Sequence, residues 1–60
     1  MYYIKVTSNT KSGYWDDDAS LIVDTIEQAT KYDNYRRADF LCGSLPYFYP
    51  DCFFQRKKII

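Results

Sequence analysis

The chain has 60 residues, eight Lys and Arg balanced by eight Asp and Glu, and no His. That length accommodates a single domain (1–60) with a thin core, because a domain of this size buries only about 60% of the surface its unfolded chain exposes. Zero net charge speaks against a nucleic-acid-coating protein and against an acidic mimic of DNA, and the missing His removes the usual general base and the commonest metal ligand.

The unusual number is the aromatic count: seven Tyr, four Phe and one Trp. Each ring buries about 150–250 Å², so together they exceed what one thin layer can hide. Tyr is also enriched at interfaces. The surplus predicts rings that meet a partner and, as the simplest remedy for a thin core, a homodimer.

Taken in chain order, Tyr2, Ile4 and Val6 alternate with Tyr3, Lys5 and Thr7, the period of a half-buried strand. A strand so close to the amino terminus is expected in the middle of a sheet, where it cannot fray. Residues 8–13 form a polar turn in which Gly13 is available for positive φ. Tyr14 and Trp15 resume extended structure before Asp16, Asp17 and Asp18 interrupt it, and Leu21, Ile22 and Val23 read as the return strand of a hairpin with a long acidic connection. Thr25 followed three residues later by Gln28 fits a capping box, predicting a short helical turn over residues 26–32. Asp33 and Asn34 then offer a fresh cap. Ala38, Leu41, Cys42 and Leu45 fall on one stripe of an amphipathic helix, with Arg36, Arg37 and Asp39 off it. Leu45-Pro46 is expected to end that helix. Pro46 and Pro50 bracket Tyr47, Phe48 and Tyr49 in a segment expected to be extended and stiff. Residues 52–60 read as a last, charged edge strand. The expected fold class is α+β: a small antiparallel sheet of three to four strands with one main helix packed on one face, in the order ββαβ.

Residues 1–7 lack the basic leader and apolar run of a signal peptide, and no stretch nears the roughly 20 apolar residues that cross a bilayer. The expectation is a cytoplasmic protein with no membrane partner, in which Cys42 and Cys52 stay reduced. One Cys pair without His cannot complete a four-ligand zinc site. Asp16, Asp17 and Asp18 lack the alternate-acid spacing of a calcium loop. No metal and no cofactor is expected. The only glycines, Gly13 and Gly43, build no phosphate loop, and nothing supplies acid, base and pocket together. No catalytic residue is assigned, and the chain reads as a non-enzyme.

The charge is divided along the chain: residues 1–30 carry a net −3 and residues 31–60 a net +3. Two surfaces follow. Tyr14, Trp15, Tyr47, Phe48 and Tyr49, with Asp16, Asp17 and Asp18 at the rim, are the expected protein-binding surface, since Tyr and Trp anchors with a polar surround give affinity over little area. The alternative is a small nucleic-acid-binding module using Phe53, Phe54, Arg56, Lys57 and Lys58, by stacking and phosphate contact.

The run Met1-Tyr2-Tyr3-Ile4-Lys5-Val6, then Gly13-Tyr14-Trp15, then Ile26-Glu27-Gln28-Ala29-Thr30-Lys31-Tyr32 ahead of a short Ala-containing helix resembles, in general style over most of the chain, the very small accessory proteins encoded by phages and prophages of Gram-positive bacteria. That resemblance implies binding and inhibition of a host protein, such as a component of a CRISPR or Hachiman defence system, inside the host cell. It implies no catalytic residues.

Overall fold

The alternating residues do form strands, and their pairing decides the architecture. The computed structural model describes residues 1–59, with β1 (Tyr2–Ser8), β2 (Ser12–Asp16), β3 (Leu21–Val23), α1 (Tyr35–Ser44) and β4 (Cys52–Lys58), and 3-10 turns at Ile26–Gln28 and Leu45–Tyr47. The strands form one antiparallel sheet in the order β3-β2-β1-β4, with α1 packed against β1 and β4. The α+β class, the single main helix and the central place of β1 match the sequence reading. The order is βββαβ rather than ββαβ. The segment taken for a hairpin connection is itself the strand β2, paired on both sides: Tyr14 opposes Lys5 on β1 and Val23 on β3. Its pattern is too short to be read alone, and the pairing with two neighbours makes it a strand.

Register assigns the two faces, since successive side chains of a strand point to opposite sides. Ile4 and Val6 are fully buried under the helix, and Gly13 and Phe54 both pair with Val6 on that side. Trp15, Tyr32, Ala38, Leu41 and Leu45 complete the core, with Ile22, Cys42, Tyr49, Cys52 and Phe54 packed against it. Gly13 is needed for close approach and not for positive φ, which no glycine adopts: an added Cβ would lie 2.6 Å from the Val23 carbonyl oxygen. The hairpin turn is closed instead by Ser8, whose amide and hydroxyl both donate to the Lys11 carbonyl at 2.9 Å.

Asn34 caps α1, its side chain accepting from the Arg36 amide at 2.8 Å, and the expected stripe faces inward with Ala38, Leu41 and Leu45 buried. Two local readings are corrected. The helical turn after Thr25 covers only Ile26–Gln28. Thr25 donates to the Gln28 side chain at 3.2 Å rather than capping the backbone. The chain is pulled extended by tertiary pairing, with the Thr30 amide donating to Trp15 O and Tyr32 exchanging both backbone bonds with Tyr2. The Pro46–Pro50 segment is not extended. Leu45–Tyr47 is a 3-10 turn continuing from α1, because Pro at an early helical position gives up an amide that has no partner there and already has the right φ. Cys42 and Cys52 are free thiols, both half-buried against the core.

Candidate functional site

The two aromatic segments singled out in the sequence are brought together, but not as one exposed surface. Trp15 is 4% exposed, turned to the core side of the sheet by the even–odd alternation of β2. Its ring meets Tyr49 edge-on at 5.7 Å between centroids, and Tyr49 in turn meets Phe54 at 6.2 Å. These are core contacts. Trp15 is therefore removed from the partner-binding set, and Tyr49, packed against the core, goes with it.

Tyr47 and Phe48 are the rings left outside, 87% and 76% exposed. They sit on a fixed turn. Leu45 is buried beneath them, and its carbonyl accepts from the amides of both Phe48 and Tyr49 at 2.9 Å. Phe40, on the outer side of α1, is also largely exposed, and the sequence reading did not select it, because a lone apolar residue off a helical stripe carries no pattern.

The acidic run is only partly available. Asp16 accepts from the amides of Asp18 and Ala19 at 3.1 and 3.4 Å and from the Thr30 hydroxyl at 3.4 Å. That bonding shapes a turn in which Ser20 takes φ 54°. Asp17 pairs with Arg37 at 3.7 Å, and its amide donates to the Thr30 hydroxyl at 2.7 Å. Asp18 is exposed. The carboxylates rim the Trp15 end of the sheet rather than Tyr47 and Phe48. Among the described residues no three potential metal ligands gather, and no cavity opens.

Nearby, burial pushes the Tyr32 phenol up to about 12, reinforced by the Asp17 carboxylate and partly offset by Arg37. Its hydroxyl and the Trp15 indole nitrogen are buried without a hydrogen-bond partner. Burial, with help from Asp39, also raises the Cys42 thiol above its ordinary value.

The basic strand divides between the two faces. Phe54 and Arg56 pair with Val6 and Ile4, and Lys58 with Tyr2, on the helix side. Arg56 is engaged there, bonded to Asp39 at 3.0 Å and lying 5.3 Å from the Tyr35 ring centre. Phe53 and Lys57 point the other way, onto the face that no helix covers, where they join Tyr3, Lys5, Tyr14 and Val23. The five residues of the alternative site thus share no single surface. The open face was missed because it needs register, and register is invisible until both partner strands are known.

Comparison of the chain with protein-family models, with curated proteins and with solved structures finds no match.

Proposed function

We propose that this chain is a non-enzymatic binding protein of the small phage type, which attaches to a host protein, such as a component of an antiviral defence system, and inhibits it through Tyr47 and Phe48. The observation that supports this reading is the pairing of near-complete exposure with a fixed backbone: two adjacent rings stand 87% and 76% exposed on a turn anchored by buried Leu45. Rings ordered in advance lose little freedom on binding, and a Tyr beside a Phe gives an apolar body with a polar tip. The kind of partner comes from the resemblance to phage accessory proteins.

The test uses tagged protein to capture its partner from a lysate of a Gram-positive bacterium, followed by titration with the purified partner. Tyr47→Ala and Phe48→Ala should each weaken that binding by about 30-fold or more, the about 2 kcal/mol typical of a truncated anchor, while leaving the melting temperature unchanged. Retention of full affinity by the double variant would place the binding surface elsewhere.

A further inference from the structure

We infer that the uncovered face of the sheet is a self-association surface, and that two copies stack face to face about a two-fold axis running along the strands. This goes beyond the proposed function and does not depend on which host protein is bound.

The face carries too much apolar surface to be a plain solvated side. Phe53 is 71% and Leu21 47% exposed. Between them Tyr3 and Tyr14 lean on each other at 5.7 Å between centroids. The face spans four strands at about 4.8 Å spacing and about five residues at about 3.3 Å rise. In projection that is on the order of 320 Å² per copy, which puts the pair below the roughly 1,000 Å² total of stable interfaces and among weak, transient associations.

Charge placement selects the occupant and the symmetry. The central row of the face reads Val23, Tyr14, Lys5, Gln55 across the four strands. The next row runs from Leu21 and Asp16 on one side to Tyr3 and Lys57 on the other. Cations therefore lie on the β1–β4 half and the carboxylate on the β2–β3 half. A two-fold along the strands lays each half on the opposite half of a second copy. Lys5 then faces the partner's Tyr14, a cation–π arrangement, and Lys57 lays its methylene stem over the partner's Leu21 within one strand of the partner's Asp16. A two-fold across the strands at full overlap would instead set Lys5 on its own copy, a like-charge cost. Parallel, in-register pairing through the free edge of β4 would align Arg56, Lys57 and Lys58 with the same cations of a second copy. The face is self-complementary.

Sedimentation equilibrium of the full chain from about 1 to about 500 µM should show the mass rising from 7.2 kDa toward twice that value. Leu21→Lys and Lys57→Asp should each weaken the dimer by about tenfold or more, and the double variant, which sets opposite charges at positions 21 and 57 across the interface, should return to within about threefold of the parent. Leu21 and Lys57 stand on opposite edges of one sheet, so rescue has to come from the second copy. All three variants alter exposed side chains and should fold as the parent does, which circular dichroism checks. A 7.2 kDa species at every concentration, or a dimer indifferent to Leu21→Lys and Phe53→Glu, overturns the inference. So does a monomer that binds a fluorescent oligothymidylate with steep salt dependence lost in Phe53→Glu, which makes the face a nucleic-acid platform.

Discussion

Two aromatic segments of similar composition, residues 14–15 and residues 47–49, are sorted by different rules. In β2 the sorting is by parity: Tyr14 faces the open side and Trp15 the core, because neighbours on a strand point apart. In the turn after α1 it is by depth: Tyr49 folds back onto Trp15 while Tyr47 and Phe48 stay outside. One ring from each segment thus builds a shared core contact, and the remainder lie outside it on separate parts of the molecule. Aromatic density alone does not mark a binding site. The backbone beneath each ring decides whether it contributes stability or contact.

The largest effect that can break this comparison comes from the buried member. Trp15→Ala removes a ring that is 4% exposed and leaves Tyr49 facing a void, which costs about 3–5 kcal/mol. In a 60-residue domain that is most of the folding free energy, so thermal unfolding should be lost or strongly shifted. Trp15→Phe should retain much more stability, because the indole nitrogen makes no hydrogen bond. If Trp15→Ala melts like the parent, the ring is not core and the division between the two segments fails.

The elements were legible where one strand or helix carries its own period. The β1 alternation, the Asn34 cap and the Ala38, Leu41, Leu45 stripe needed no partner to be read. The site was less legible, for a physical reason. Trp15 looks like an exposed anchor beside three acids, yet Asp16 and Asp17 point to a turn and to Arg37, and Trp15 is drawn inward by pairing with Ile22 on β3. Pairing of β1 with β4 likewise places Phe53 and Lys57 with Tyr3 and Lys5, residues some fifty positions away in the chain. Pro46 misled in the opposite direction, since it begins a helical turn as readily as it ends one.

A smaller effect sharpens the picture of the core beside Trp15. The Tyr32 phenol is raised from 10.0 to about 12, chiefly by burial. Between those values the unfolded chain has released its proton and the folded chain has not, so the unfolded state binds fewer protons and stability falls as pH rises. The contribution is fully present below pH 10, and its loss by about pH 12 reaches about 2–3 kcal/mol. Denaturant titrations of the parent and of Tyr32→Phe from pH 9 to 12 isolate it, because the other tyrosines are common to both. The parent should lose stability more steeply over that window, and parallel curves would mean that the phenol ionises as freely in the fold as out of it.

The smallest effect concerns the helix that leads into the exposed turn, and it separates the two glycines as the rings are separated. Gly13 lies against Val23 and Ile22, with no room for a methyl group, whereas an added Cβ at Gly43 meets nothing within 4 Å. Gly43 sits in the last turns of α1, is exposed and does not use positive φ. Alanine there removes backbone freedom from the unfolded chain without adding a clash, a gain of about 0.5–1 kcal/mol, or about 4–8 °C in Tm for a domain of this size. The turn that carries Tyr47 and Phe48 begins immediately after this helix. If that turn is already fixed by Leu45, Gly43→Ala should raise Tm while leaving affinity for the captured partner unchanged. A rise in affinity matching the rise in stability would show instead that the end of α1 is loose before binding, and that the exposed rings are ordered by their partner rather than by the fold.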